Sequence, residues 1–305
     1  MNTDKLWIVA VISNPQRYRS RFALYQAFED RMRRAGANLM TVEAALGGRG
    51  HTVTTEGHAR HLQVRQRDEL WHKENLINLG IQCLPEDWEY VAWLDADIEL
   101  VRPDWLSEIV HQLQHYQVLQ VFQDAIDLGP AGQVVQKHNG FMWSHVSGQP
   151  KGGAGYGYPH WHPGFGWAAR RSAIDALGGL MDHAILGSGD HHMAWALLGK
   201  VIQNAPKELM PAYLRTLRVW EARARTGIKK DVGFMPGTLL HHWHGKKADR
   251  RYQDRWKILL HHRYDPDFDV QKDWQGVLQL STRGERMRAD LRGYFQARNE
   301  DSIDL

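Results

Sequence analysis

The chain has 305 residues, with 38 Lys and Arg against 35 Asp and Glu and a formal charge of +3. That length buries a sizeable core without staples, and a charge so small is weak support for nucleic-acid binding. Its 43% hydrophobic and 24% charged residues exclude wholesale disorder, and a single cysteine, Cys83, excludes an internal disulfide and reads as a reducing, cytoplasmic setting. In chain order, Leu6 to Ile12 is a continuous apolar run rich in β-branched residues, the pattern of a strand buried on both faces. Ser13-Asn14-Pro15 stops it. Phe22, Leu24, Tyr25, Phe28 and Met32 recur at helical spacing across Arg21 to Ala35, with Gly36 as the stop. Leu39 to Val42 is a short second strand, and residues 47–60, rich in Gly, Thr and His, are a loop. Glu69 to Leu79 reads as a helix ended by Gly80, and Tyr90 to Leu94 as the clearest strand. A helix starts near Pro103 and carries Trp105, Leu106, Ile109, Val110 and Leu113 inward. Val118 to Phe122 is a further strand.

Strands alternating with helices predict an α/β fold with a mainly parallel sheet. Residues 138–167 break the alternation, with Gly148, Gly152, Gly153, Gly155 and Gly157 set among aromatic residues, which reads as a lid over a site or as a poorly ordered loop. Helices follow over His191–Leu198, Glu208–Arg225 and Asp249–His262, with a last charged one near Arg283–Arg298. No repeat, low-complexity tract or linker is evident. No apolar run reaches the roughly 18–20 residues of a membrane span, and the first residues lack the basic start and small-residue cleavage site of a signal peptide. The expected organisation is one domain over 1–265 with a helical extension over 266–305.

Asp95-Ala96-Asp97 directly follows the strand Tyr90–Leu94. Ligands bind at the carboxyl ends of strands in open α/β sheets, and two acids at i and i+2 on a turn can share one hard divalent cation. A metal also relieves their mutual repulsion. The run His241-His242-Trp243-His244-Gly245-Lys246-Lys247 offers that cation an imidazole and a phosphate two lysines; no second cluster at zinc spacing accompanies it. Gly187-Ser188-Gly189-Asp190 precedes an apolar helix that opens with His191, so Asp190 is either a helix cap or a general base on an attacking hydroxyl. Pro15, Arg17 and Arg21 after the first strand, and Lys73 with Asn75 ahead of the Asp pair, are candidates for gripping a nucleotide. Trp161, Trp167 and His191 are candidates for an acceptor platform.

Taken together and in order, SNPQRYRSR, WHKENLIN, YVAWLDADIEL, HPGFGWA, LGSGD and HHWHG resemble a GT-A-fold glycosyltransferase of the metal-dependent, nucleotide-sugar-using kind, in a branch found in bacteria and their viruses. The resemblance spans about residues 6–262. It implies a Rossmann-type, mixed and mainly parallel sheet, a UDP- or GDP-linked sugar donor, and Mn²⁺ or Mg²⁺ as cofactor. Asp97 would ligate the metal directly, Asp95 would lie near the ribose or the metal, and His244 would be the third ligand, with His242 in reserve. Pro15, Arg17, Arg21, Lys73, Asn75, Lys246 and Lys247 would contact the donor. Asp190 would be the base of an inverting transfer; where inverting members carry two acids, this chain has Gly189-Asp190. The acceptor hydroxyl would belong to a saccharide or to a modified base in DNA. The rival readings are a metal-dependent nucleotidyltransferase, which wants a glycine-rich phosphate loop after the first strand, and a nucleic-acid-binding protein without catalysis.

Overall fold

The computed structural model describes residues 2–149, 161–251 and 254–304. The apolar run at the start forms strand β1 (Leu6–Ser13), and its alternation decides the layering. Successive side chains leave opposite faces of a strand. Trp7 and Val9 therefore join one core, while Leu6, Ile8, Ala10 and Ile12 join another on the far side of the sheet. Helix α1 (Arg19–Arg34) covers the second core with Tyr25, Phe28 and Met32. Then come β2 (Asn38–Leu46), the loop expected over 47–60, and β3 (His61–Gln66), an alternating strand that the polar residues around it hid from the sequence.

Helix α2 (Lys73–Gln82) starts four residues later than its periodicity predicts. Glu69 is drawn instead to Gln16 and Arg292, and His72 bonds the carbonyls of Leu70 and Leu278, so tertiary partners outbid the first helical turn. The chain continues through β4 (Tyr90–Leu94), β5 (Ile98–Leu100), α3 (Trp105–His115), β6 (Val118–Gln120), β7 (Asp124–Leu128) and β8 (Val134–Asn139). The stretch expected to be a loop over 138–167 contains α4 (Phe141–Val146) and the start of β9 (Gly166–Arg170). The part of the expected lid over 150–160 lies outside the described residues. Helices α5 (Arg171–Leu177), α6 (Gly189–Leu197) and α7 (Pro211–Gly227) pack with α2 on the Trp7 and Val9 face. They are followed by β10 (Val232–Phe234), β11 (Thr238–His241), α8 (Asp254–His261), the hairpin β12 (Val270–Lys272) and β13 (Leu278–Leu280), and α9 (Arg288–Gln296).

The main sheet has the order β10-β6-β9-β4-β1-β2-β3. It is parallel throughout except for β9, which runs antiparallel between β4 and β6. The fold is thus the expected mixed, mainly parallel α/β sheet flanked by helices. A smaller sheet, β5-β11-β7-β8, stands beside it and brings β11 next to β7. The segment after residue 265 carries the hairpin as well as its helix. Val277 packs with Val42, Ala44, Val64 and Leu76, while Leu278, Leu280, Leu291 and Phe295 enter the core under α2. Among the described residues no helix is long and apolar enough to cross a membrane.

Candidate active site

Four chain segments end at one place. Strand β4 runs into Asp95-Ala96-Asp97, β11 delivers His241 and the turn to His244, α2 opens with Lys73, and α6 opens with Gly189-Asp190. They line a cavity of about 770 Å³ at the carboxyl ends of β1 and β4, where ligands of open α/β sheets bind. Gly245 has φ +86°, and a Cβ there would stand 2.8 Å from the carbonyl oxygen of Asn299, so glycine is what lets this turn close against the chain terminus.

One half of the cavity is a cluster of metal-binding character. His244 Nε2 lies 2.9 Å from Asp97 Oδ2, His241 Nε2 lies 3.9 Å from the same oxygen, and the two imidazole Nε2 atoms are 3.0 Å apart. Among the described residues, Asp97, His241 and His244 are the group of three whose donor atoms converge closely enough to share an ion. Asp97 Oδ1 is buried with no hydrogen-bond partner among those residues, which is costly unless something absent satisfies it. Burial, and then the Arg250 guanidinium, pull His244 down to about 4, so its imidazole is neutral at pH 7 and offers a lone pair. Burial opposes ionisation of Asp97, but the neighbouring His244, His241 and Arg250 outweigh it and hold the carboxyl well below its usual range. One carboxylate and two imidazole nitrogens meeting at a point are a donor set that fits a divalent ion.

The other half is a cluster of carboxyls around Lys73. Its Nζ lies 2.5 Å from Asp95 Oδ1 and donates to Asp190 Oδ2 at 2.9 Å. Burial disfavours the ammonium, yet Asp190 and Asp95 raise it well above the ordinary lysine value, so pairing wins over desolvation. Burial raises Asp95 to about 6. Burial, reinforced by Asp190, raises Glu74 to about 8, so Glu74 is largely a neutral acid at pH 7. A Cβ at position 189 would collide with the Glu74 carboxyl. The space for a second acid beside Asp190 is therefore taken by Glu74 from α2, and glycine is what fits.

The expected donor and acceptor residues divide. Pro15, Arg21, Lys73, Lys247, Asp190 and His191 line the cavity. Arg21 is not a loose phosphate ligand: it donates to the Ser13 carbonyl at 2.7 Å and to Glu300 Oε1 at 2.7 Å. Arg17 is exposed with φ +58°, and neither it nor Lys246 lines the cavity. Asn75 points away: its amide donates to the Gly276 carbonyl at 3.0 Å and accepts from Leu278 N at 2.9 Å, pinning the β12–β13 hairpin to α2. Asn75→Ala should therefore cost about 1–3 kcal/mol in urea denaturation, from buried polar groups left unpaired, and leave the Michaelis constant for a donor where it was. His242 turns its ring to Glu99, 3.4 Å away, and His241 takes the place for which His242 stood in reserve. The parity of β11 carries that signal, because His241 shares its face with buried Leu239. Trp167 is only 2% exposed, in the core under the sheet, and its Nε1 donates to the Pro163 carbonyl. Trp161 stacks on Trp195 at 5.5 Å and lines no part of the cavity. The aromatic walls are instead Tyr18, Trp71, Phe165, Trp256 and Phe295.

No protein-family model matches the sequence, and no curated protein matches it. Solved structures do. A variant of β-1,4-galactosyltransferase 7 from Drosophila, determined with manganese, UDP-Gal and xylobiose, is 14% identical with a TM-score of 0.43, over 95% of this chain and 98% of that one. TarS from S. aureus is 10% identical with a TM-score of 0.40, over 96% of this chain and 80% of the other. A glycosyltransferase involved in glycosylation of the major capsid of PBCV-1 is 13% identical with a TM-score of 0.32, over 77% and 91%. Likenesses this distant do not assign a function, which has to come from the side chains.

Proposed function

We propose that this chain is a divalent-cation-dependent glycosyltransferase that moves a sugar from a nucleoside diphosphate sugar to an acceptor hydroxyl. The observation that carries the reading is the convergence of Asp97, His241 and His244 on one point of a cavity that also presents Asp190 beside Lys73. Asp97, His241 and His244 would hold the ion; two nitrogen donors favour Mn²⁺ over Mg²⁺. Such an ion neutralises charge on a diphosphate leaving group.

The chain's own residues supply the rest. Asp190 accepts the proton of the acceptor hydroxyl; the oxygen forms its bond to the anomeric carbon from the face opposite the diphosphate, and the bond to the diphosphate breaks with its electron pair. That displacement inverts the anomeric centre. Lys73 orients Asp190 and Asp95, and its ammonium would add fixed positive charge to the cavity in which the diphosphate departs. Of the two acceptors this reading takes the saccharide, because a formal charge of +3 is weak support for a polyanionic partner.

A panel of nucleoside diphosphate sugars, each with MnCl₂ or with EDTA, tests this by melting temperature and by release of free nucleotide. One donor should stabilise the protein in manganese alone, by about 2.7 kcal/mol at a hundredfold excess over its dissociation constant, and should be slowly hydrolysed. A panel that moves nothing, with EDTA also without effect, overturns the reading.

A further inference from the structure

The proposed cation site does not explain why a third, deeply buried carboxylate stands behind it. Asp127, on β7, has a side chain 5% exposed and sits directly across from His241 in the parallel pairing of β7 with β11. Its Oδ1 lies 2.7 Å from His241 Nδ1. Its Oδ2 receives His138 Nε2 at 2.5 Å and the ammonium of Lys247. Ionised by these partners, the carboxylate can only accept. His241 must then carry a proton on Nδ1, which leaves Nε2, the nitrogen facing Asp97 and His244, as the one available to a metal. Phe165, itself stacked on His162 at 4.1 Å, packs against the imidazole at 4.7 Å and restrains its remaining rotation.

From this geometry we propose that Asp127 is a positioning residue for the metal: it fixes the tautomer and ring direction that make His241 a ligand for a divalent cation of the manganese type. The inference deepens the proposed function and rests on its cation site. A metal-ligating imidazole generally donates its other N–H to a carboxylate, and loss of that partner weakens metal binding by about 10- to 100-fold. Lys247 and His138 complete the device: both engage Oδ2, which leaves Oδ1 to hold His241.

Titration of the donor-free protein with MnCl₂, followed by calorimetry or by the electron paramagnetic resonance of free Mn²⁺, reads the effect directly. Asp127→Asn should raise the manganese dissociation constant by about 10- to 100-fold. His241→Ala should raise it at least as much, and the double variant should be no weaker than His241→Ala alone, because both changes remove one ligand. Additive losses would mean that Asp127 acts elsewhere than through His241. An Asp127→Asn affinity equal to that of the wild type would overturn the inference and leave the cation site standing. A wild-type protein that takes up no manganese would overturn the cation site itself. A second measurement needs no variant at Asp127: the imidazole ¹⁵N shifts of metal-free wild type, assigned with His241→Gln, should show His241 protonated on Nδ1. Protonation on Nε2 would overturn the inference.

Discussion

Lys73→Met should lose both turnover and stability. With the ammonium gone, Asp95 and Asp190 face each other across the cavity wall, and Glu74 lies beneath them. Removing one partner from a buried ion pair costs about 3–5 kcal/mol, because the remaining charge stays desolvated and uncompensated. The Lys73 side chain is 13% exposed, so solvent screens little of this. Part of the cost is recovered as the carboxyls take up protons, which moves the expected loss toward the lower end of that range. Turnover of a donor should fall by about 10²- to 10³-fold, the usual consequence of removing one preorganised charge from a leaving group. Urea midpoints give the first number and single-turnover rates at saturating donor the second. Lys73→Arg separates them: it keeps a charge between the carboxylates but spreads it over a larger planar group instead of a compact ammonium, so stability should return further than rate. A Met variant as stable as the wild type would show that the carboxyls are already neutral. One that is destabilised but turns over normally would remove Lys73 from the chemistry.

How much of this was legible in the sequence follows from the range of each signal. The alternation of LWIVAVIS and the acids after YVAWL are local, and the structure places both as the spacing implies: a central strand buried on both faces and two carboxylates at a strand end. The three histidines were also visible, but only the parity of a four-residue strand distinguishes His241 from His242. Asp127 carried no such mark. It is one of two acids in DAIDL, and what gives it meaning is a pairing with His241, 114 residues away, between strands of the smaller sheet. Asn75 failed for the complementary reason. Its place one turn into a helix beside Lys73 suggested a shared ligand, but successive helical positions face different ways, and its side of α2 is covered by a hairpin some 200 residues downstream. Arg17 and the tryptophans had no periodicity to decide between ligand and packing.

The chain terminus makes the second large prediction. Glu300, with no exposed side-chain surface, accepts hydrogen bonds from Arg298 Nε at 2.6 Å and from Arg21 Nη2 at 2.7 Å. Asp301 accepts from the backbone N–H groups of Arg19 at 3.0 Å and Ser20 at 2.8 Å, a negative charge at the start of α1 where the helix dipole favours one. The last residues are thus tied to the helix behind β1 and, through Gly245, to the turn that carries His244. Glu300→Gln removes the carboxylate charge that Arg298 and Arg21 share and should cost about 3–5 kcal/mol at pH 7. Burial opposes ionisation of Glu300, but Arg21 and Arg298 outweigh it and hold the carboxyl well below the usual range. A depressed native value means that the unfolded chain binds the proton more readily. The stabilisation is therefore complete above the unfolded value of about 4.3 and is lost as pH falls below it. The gap between wild type and Glu300→Gln, read as urea midpoints at pH 7, 5, 4 and 3, should stay level to about pH 5 and then close. A gap unchanged at pH 3 would mean that the pair is bound by shape and hydrogen bonding, not by charge. Because Arg21 is itself a wall of the cavity, the same substitution should weaken donor binding at pH 7 more than it weakens manganese affinity. That split would place the terminus on the nucleotide side of the site.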